Sequence, residues 1–391
     1  MNSLKTKFHI FATLLTKTVI KTLWLFPIRK NQIMFISYAG NYSDSPKYIY
    51  KELKRRNSSV DCVWAVNNGC KHEIEIKDCK KVQFGSFSYL RELTRSNVVI
   101  LNNVLFTYIP RRKSQLFINT WHGGSPLKTV GMVDENISEF DKFFYKEHAK
   151  KYSAYSSSSK FMTEDVFRRS FGFKGEIFNC GLPRNAILFR DHSQAVQSVS
   201  NHFNIPIDDD HGIILYAPTH RGGVENAGFI PTDQQFDIER CIKEMEARFN
   251  KKYSFLFRSH YFDSDVPKNC LIATDYPDMQ ELMVASDVLI TDYSSCMGDM
   301  CLMYKPAFLY VPDLDEYIKD RGFYWDIYSL PFPVAKDEET FLNQIRCFNQ
   351  ERYNAGVDQY LERLGSYEGP DTDIKFVDYL LQKIKSVNSD E

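Results

Sequence analysis

After residue 29, the hydrophobic and polar positions alternate between the period of a strand and the period of a helix. Short apolar runs, which are typical of buried strands, are separated by segments whose apolar residues recur at helical spacing. In the first half the strand-like runs are NQIMFIS, VDCVWAV, VVILNN, QLFINTW and EIFNCG. In the second half they are GIILYAP, YSFLFRS, DVLITD and PAFLYVP. This alternation predicts an α/β protein with parallel sheets and helices on both faces.

The helical segments carry start and stop signals. Pro46 opens KYIYKELKRR, as proline does at a first helical position, and SSSSKFMTEDVFRRSFGF has Ser or Thr before its apolar period and Gly172 near its end. Other predicted helices are FSYLRELTRS, FDIERCIKEMEARF, MQELMVAS and SSCMGDMCLMY. A polar stretch at about 191–210 separates the two halves. Because 391 residues exceed one ordinary core, we expect two domains, 30–195 and 196–391.

The N-terminal segment 1–29 has a different pattern. Its apolar residues fall on one helical stripe, namely Phe8, Phe11, Ala12, Leu15, Val19, Leu23 and Phe26. Residues 1–43 contain no Asp or Glu, and Lys17 and Lys21 interrupt the apolar run too often for a membrane span. The pattern predicts a basic amphipathic helix that lies on an anionic membrane surface. The alternative is a helix that packs on the rest of the protein.

Composition excludes several classes of function. The formal net charge of -1 gives no general attraction for nucleic acid. The 9 cysteines are scattered singly, which predicts reduced core residues and neither a disulfide framework nor a zinc site. No tight carboxylate cluster is present, so we expect no essential bound metal. The sequence also lacks the glycine-rich dinucleotide fingerprint, the Walker loop and the HExxH motif.

Polar residues with useful chemistry follow four of the predicted strands. Because the carboxyl ends of parallel strands meet at one edge of a sheet, these residues are the candidate site. They are His122 after FINTW, Thr219 and Arg221 after ILYAP, Arg258 and His260 after FLF, and Asp292, Ser294 and Ser295 after VLIT.

The NTWHGG segment is the strongest of these motifs. His122 can take a proton from an alcohol because an imidazole titrates near neutral pH. Gly123 and Gly124 allow backbone to approach a ligand closely, and Lys128 can neutralise a phosphate. The alternative is a histidine that only caps a turn.

The other two motifs suggest a phosphate site. In ITDYSS, Ser294 and Ser295 lie at a predicted helix start, where backbone N–H groups attract anions. Asp292 would repel phosphate, so we expect it to orient a loop or hold a donor group. In FRSH, Arg258 can clamp phosphate oxygens. The alternatives are N-capping by the serines and an arginine that pairs with a carboxylate.

The motifs WHGG…PLK, APTHR, FRSH and SDVLITDYSS, in this order, resemble the CDP-glycerol glycerophosphotransferase family of teichoic-acid primases and polymerases. The flanking segments SSSKF, GLPRNAILF, KPAFLY and RGFY resemble it too. The resemblance implies a GT-B-like fold with two Rossmann-like domains facing a central cleft. It also implies a CDP-polyol donor, a lipid-linked or polymeric acceptor, no prosthetic group, and peripheral attachment to the cytoplasmic face of the membrane.

The resemblance also implies residue roles. His122 matches the catalytic base, and His260 matches the residue that contacts the donor diphosphate, with Arg258 nearby. Ser294 and Ser295 match the phosphate-binding pair. The remaining donor-side positions are Thr219, Arg221, Asp292 and Asp299, and the loop at the acceptor side comprises Gly123, Gly124 and Lys128.

Three positions depart from the family pattern. WHGGSPLK is one residue longer than the usual WHGTPLK, Ala186 replaces the usual aspartate, and Gly298 replaces an aromatic residue. The departures leave both CDP-glycerol and CDP-ribitol open as donors, and both teichoic acid and capsule as products. A nucleotide-sugar glycosyltransferase or epimerase and a non-catalytic membrane adaptor are the alternatives outside this chemistry. A homo-oligomer is compatible with the sequence.

Overall fold

The computed structural model describes residues 3–68, 70, 76–133, 137–219, 235–259, 269–320 and 322–389. The chain divides into two compact units. Unit 1 comprises Met1–His122, Val130–Ala186 and Ser366–Glu391, and unit 2 comprises Gly123–Thr129 and Ile187–Gly365. The sequence suggests contiguous domains, 30–195 and 196–391. In the structure, residues 123–129 belong to unit 2 and residues 366–391 belong to unit 1.

Unit 1 contains a parallel sheet of 7 strands in the order β3-β2-β1-β4-β5-β6-β7. The central strands are apolar and almost fully buried, which explains why they pair on both sides. The strands are β1 (Arg29–Ile36), β2 (Asp61–Val66), β3 (Lys80–Gln83), β4 (Ser96–Leu101), β5 (Leu116–Asn119), β6 (Ala154–Ser157) and β7 (Glu176–Asn179).

Unit 2 contains a parallel sheet of 6 strands in the order β10-β9-β8-β11-β12-β13. The strands are β8 (His211–Tyr216), β9 (Lys252–Phe257), β10 (Leu271–Ile272), β11 (Val288–Thr291), β12 (Ala307–Tyr310) and β13 (Val334–Ala335). The two sheets confirm the predicted α/β class with parallel strands.

Each sheet has one topological switch point, where the strand order reverses. In unit 1 it lies between the adjacent strands β1 and β4, and in unit 2 it lies between β8 and β11. Loops that leave two such strands diverge to opposite faces of the sheet, which opens a crevice at the carboxyl ends of the strands. Each unit therefore offers a ligand-binding edge by itself.

The helices connect these strands. In unit 1, α1 (Ser3–Lys21), α2 (Asp44–Arg55), α3 (Phe87–Arg95) and α4 (Glu139–Lys151) precede a π-helical segment, Met162–Ser170. In unit 2 they are α5 (Ser193–Phe203), α6 (Ile238–Phe249), α7 (Met279–Ala285), α8 (Cys296–Cys301), α9 (Leu314–Asp320), α10 (Glu338–Arg346) and α11 (Gln350–Leu364). The last helix, α12 (Thr372–Ser389), belongs to unit 1.

The segment that begins at Ser156 differs from its prediction. A helix was expected over the whole of SSSSKFMTEDVFRRSFGF, but the first two serines end strand β6. Their hydroxyls bond the backbone, from Ser156 to the Gly181 carbonyl at 2.9 Å and from Ser157 to the Ser159 carbonyl at 2.9 Å. Serine side chains that bond the backbone in this way compete with helix formation.

Helix α12 completes the core of unit 1. Phe376, Val377 and Leu380 are fully buried, in one cluster with Ile33 of β1 and Trp64 of β2. The apolar spacing of a helix does not indicate which sheet the helix will cover, so sequence order alone assigned this segment to the second domain.

We predict that Phe376→Ala lowers the free energy of unfolding by about 3–5 kcal/mol, because it leaves a cavity in a closely packed core. Urea-induced unfolding measures the change. Lys385→Ala, at an exposed position of the same helix, is the control and should change the stability by less than about 0.5 kcal/mol. Equal effects of the two substitutions would contradict the placement of α12 in this core.

Candidate active site

His122 lies at the edge of unit 1, three residues after β5. Its Nδ1 is 3.0 Å from the carbonyl oxygen of Asn102, the residue that follows β4. A carbonyl can only accept a hydrogen bond, so Nδ1 carries the proton and donates it. In the neutral imidazole the lone pair is then on Nε2. This is the tautomer of a general base whose orientation is set by a backbone acceptor.

Asn102 also joins the loops on either side of the switch point of unit 1. Its Oδ1 accepts a hydrogen bond from the backbone N–H of Tyr38, after β1, at 3.1 Å. The Tyr38 ring lies edge-on to the His122 imidazole, with centroids 6.2 Å apart. Asn102 Nδ2 is buried and has no hydrogen-bond partner among the described residues. Asn102 and Tyr38 are not among the predicted site residues, although the pair NN at the end of VVILNN marks a strand end with polar side chains.

The same arrangement recurs in unit 2 with a charged residue. Asp292 follows β11 and is fully buried. Its two oxygens each accept from the backbone N–H of Thr219, after β8, at 2.9 Å, and the Thr219 hydroxyl donates to Oδ1. Asp292 therefore fixes the position of Thr219, the last described residue after β8.

The serine pair beside Asp292 lies at the start of helix α8, which has 6 residues. The Ser294 Oγ accepts weakly from the Cys296 N–H at 3.4 Å, and Ser295 makes no capping hydrogen bond with its side chain. Simple N-capping is therefore a poor account of Ser295. Asp299, on the same helix, is buried and accepts a long hydrogen bond from Gln280 Nε2 at 3.4 Å.

Arg258 follows β9 and supports a neighbouring turn. Its Nη1 donates to the carbonyls of Ala273, at 2.9 Å, and Tyr276, at 2.7 Å. These two hydrogen bonds hold the turn after β10 against the end of β9, so part of the Arg258 guanidinium has a structural role. Arg221 and His260, the other cationic candidates here, lie outside the described residues.

The glycine-rich loop after His122 packs within unit 2. Gly123 approaches Ser295 so closely that a Cβ at Gly123 would lie 2.8 Å from the Ser295 Oγ. A Cβ at Gly298 would lie 2.3 Å from the Ser125 Cβ. Ser125 therefore occupies the space that a side chain at position 298 would need. A side chain at position 298 would therefore displace Ser125, and one at position 123 would require the Ser295 hydroxyl to move.

The far end of this loop is fixed by backbone hydrogen bonds. The Thr129 N–H donates to the Gly322 carbonyl at 2.7 Å, and the Tyr324 N–H donates to the Leu127 carbonyl at 2.9 Å. Lys128 pairs with Phe323 in an antiparallel bridge, and its ammonium lies 6.0 Å from the centre of the Tyr317 ring. Gly123, Gly124 and Lys128, the predicted acceptor-side loop, belong to the unit that also contains Ser294 and Ser295.

The N-terminal helix presents an apolar stripe to solvent although its other side is attached. Phe8, Phe11, Leu15 and Val19 are 69%, 65%, 56% and 60% exposed. On the attached side, Lys17 Nζ forms an ion pair with Glu147 of α4 at 2.7 Å. Beyond the helix, Arg112 donates to the carbonyls of Leu23 and Phe26, and Leu25 is 89% exposed.

An apolar stripe that stays exposed on a docked helix marks an interaction surface. Within the described part of the chain, no helix combines the length and the apolar character needed to cross a membrane.

Comparison with known proteins identifies the family. The sequence profile of CDP-glycerol:poly(glycerophosphate) glycerophosphotransferases matches residues 18–380. The chain belongs to this family. The match covers both sheets and all the strand ends described above.

Curated relatives are consistent with this assignment. A teichoic acid poly(glycerol phosphate) polymerase of Bacillus subtilis is 29% identical over 88% of this chain and 48% of that protein. A Bacillus spizizenii protein of the same name is 27% identical over 93% of this chain and 95% of that protein. The chain spans about half the length of the relatives from Bacillus subtilis and Staphylococcus epidermidis.

Solved structures share the fold. A variant of the wall teichoic acid polymerase TagF, soaked with CDPG, has a TM-score of 0.79 at 25% identity and covers 98% of this chain and 97% of that chain. A UDP-N-acetylglucosamine 2-epimerase from Listeria monocytogenes has a TM-score of 0.52 at 13% identity, covers 93% of this chain and 98% of that chain, and shares the fold alone. These similarities confirm the GT-B-like fold class that the family resemblance implied.

We predict that Asp292→Asn destabilises the protein by about 1–3 kcal/mol. The substitution turns one of the two carboxylate oxygens into an amide nitrogen, which cannot accept a hydrogen bond from Thr219. Urea-induced unfolding measures this loss. The matched control is Asp315→Asn, which removes an exposed ion pair with Lys336 and should cost less than about 1 kcal/mol. If both substitutions cost the same, the buried carboxylate does not hold Thr219 in place.

Proposed function

We propose that this protein transfers glycerol phosphate from CDP-glycerol to a hydroxyl group of a lipid-linked or polymeric acceptor and releases CMP, in the synthesis of teichoic acid or a related envelope polymer. The observation that carries the proposal is the match of a glycerophosphotransferase family over residues 18–380. The relatives named for poly(glycerol phosphate) synthesis support the choice of glycerol.

In the proposed reaction, His122 acts as the general base. Its Nε2 takes the proton of the acceptor hydroxyl, whose oxygen attacks the phosphorus that carries glycerol. The bond from this phosphorus to the bridging diphosphate oxygen breaks, and CMP leaves with the electron pair. The tautomer set by the Asn102 carbonyl supports this role, because it leaves the lone pair on Nε2.

The donor diphosphate is assigned to the edge of unit 2. Thr219, Ser294 and Ser295 supply hydroxyl groups there, and Asp292 orients the first of them. Phosphoryl transfer depends chiefly on positioning and on charge stabilisation by fixed donors. We assign the positive charge to Arg221, His260 and Lys128, with Arg258 as support for the adjacent turn, and we propose that no prosthetic group is needed.

We predict that the purified protein releases CMP from CDP-glycerol when membranes or a lipid-linked acceptor are present, and that His122→Ala lowers the rate about 100-fold or more. CDP-ribitol and UDP-N-acetylglucosamine, assayed side by side, should be turned over at least 10-fold more slowly. Equal CMP release by His122→Ala would remove that residue from the mechanism. Faster turnover of CDP-ribitol would reassign the donor, and no turnover of any donor would favour an adaptor.

We also propose that helix α1 attaches the protein to an anionic membrane surface. The stripe Phe8, Phe11, Leu15 and Val19 is exposed, and the segment 1–43 has cationic but no acidic residues. An interfacial helix usually buries its apolar stripe at the level of the lipid headgroups while its lysines contact anionic lipids. This attachment would bring the catalytic edge to a lipid-linked acceptor.

We predict that Leu15→Glu lowers the fraction of protein that co-sediments with phosphatidylglycerol-containing vesicles several-fold, since it places a charge within the apolar stripe. Leu15 is exposed, so the fold should be unaffected. Thr16→Glu adds the same charge at an exposed position outside the stripe and serves as the control. Equal binding of both variants would show that charge alone, and not the apolar stripe, governs attachment.

A further inference from the structure

The residue before His122 has an unusual backbone conformation. Trp121 has a φ of 57°, in the left-handed region. Among the described non-glycine residues with positive φ, 6 of 9 are Asn or Asp, which tolerate this conformation. A bulky aromatic residue adopts the left-handed conformation only at an energetic cost, so surrounding contacts must hold Trp121 in it. Strained backbone that is held in place directly beside a reactive side chain points to a functional constraint.

Asn119 supplies the main restraint. This fully buried residue ends β5. Its Oδ1 accepts a hydrogen bond from the Trp121 N–H at 2.8 Å, which closes a tight turn over Thr120. Its Nδ2 donates to the Asn103 carbonyl at 3.1 Å. The Asn119 amide thus fixes the residue before His122 and the residue after Asn102. The carbonyl of Asn102 is the acceptor of the hydrogen bond from His122.

Aromatic packing restrains the other side of His122. The Trp121 ring lies against the imidazole, with centroids 4.4 Å apart and an interplanar angle of 31°. It is held in turn by Phe171, edge-on at 4.9 Å. The Tyr38 ring is edge-on to the imidazole at 6.2 Å, so two aromatic rings neighbour it. Rotation about its χ2 angle would break the hydrogen bond to Asn102.

We propose that Asn119 is a positioning residue for transfer, acting through the left-handed Trp121 backbone to fix the orientation and the tautomer of His122. The inference rests on the proposed role of His122 as the base. Asn119 does not touch the substrate, and its effect is on the geometry of the imidazole. A misplacement of the base by about 1 Å is enough to slow a reaction 100-fold.

The competing explanation is that Asn119 only stabilises the sheet, and Asn97 provides a matched control for it. Asn97 is also buried, lies in the neighbouring strand β4, and donates from Nδ2 to a backbone carbonyl, that of Lys30, at 2.8 Å. It lies near the start of β4, at the opposite edge of the sheet from His122. Asn97→Ala should therefore lower stability like Asn119→Ala without reaching the imidazole.

The first test is steady-state kinetics of the full chain on vesicles that carry a lipid-linked acceptor. We expect Asn119→Ala to lower kcat 10- to 100-fold with KM for CDP-glycerol changed less than 3-fold. Asn119→Ser, whose hydroxyl can still accept from the Trp121 N–H, should recover part of kcat, and Asn97→Ala should keep kcat within 3-fold. Normal kcat in Asn119→Ala, or an equal loss in Asn97→Ala, would overturn the proposal.

The second test does not depend on turnover. In the folded wild type, ¹⁵N chemical shifts of the His122 imidazole should report the Nδ1–H tautomer, and in Asn119→Ala they should report a mixture of both tautomers. An unchanged tautomer in Asn119→Ala would overturn the inference even if the protein is an active glycerophosphotransferase. If wild-type protein does not turn over CDP-glycerol, the proposed function fails, and the tautomer still decides the role of Asn119.

A pair of substitutions at Trp121 separates the backbone from the ring. Trp121→Ala and Trp121→Gly both remove the ring, but only glycine adopts positive φ without strain. We expect Trp121→Gly to retain a kcat at least 3-fold higher than Trp121→Ala. Equal kcat values would show that the left-handed backbone contributes nothing to the positioning of His122.

Discussion

The hydrogen bond from His122 Nδ1 to the Asn102 carbonyl is the contact on which the account of this protein depends. It exists because β4 and β5 are parallel neighbours, so the residue after one strand lies beside the residues after the next. It gives the His122 imidazole one defined tautomer, which is the tautomer that the proposed base requires. The sheet order, the buried Asn119 amide and the aromatic residues around Trp121 all maintain this one geometry.

The two units close their switch points in the same way. After the fourth strand of each sheet in chain order, a polar side chain accepts a hydrogen bond from the loop that follows the first strand. In unit 1 the neutral Asn102 accepts from Tyr38, and in unit 2 the ionisable Asp292 accepts from Thr219. The equivalent hydrogen bond is thus accepted by a neutral amide beside the proposed base and by an ionisable side chain beside the proposed phosphate site.

The sequence predicted the fold class and most central strands, because buried parallel strands are nearly continuous apolar runs. It singled out His122, Asp292 and the serine pair as candidates, because polar side chains directly after such runs are easy to recognise, and their roles stay predictions. It missed short strands such as β6, whose serine hydroxyls replace apolar contacts, and it placed α12 in the wrong unit. It missed Asn102 and Asn119 because their roles depend on backbone partners in a neighbouring strand. No local pattern encodes such a partner.

The central claim is that His122 acts on the acceptor hydroxyl and does not bind the donor. Measuring CDP-glycerol affinity and single-turnover transfer in the same His122→Ala preparation tests it most directly. The account predicts a dissociation constant within about 3-fold of wild type, with transfer slowed about 100-fold or more. Unimpaired transfer, or a loss of donor affinity as large as the loss of transfer, would contradict it.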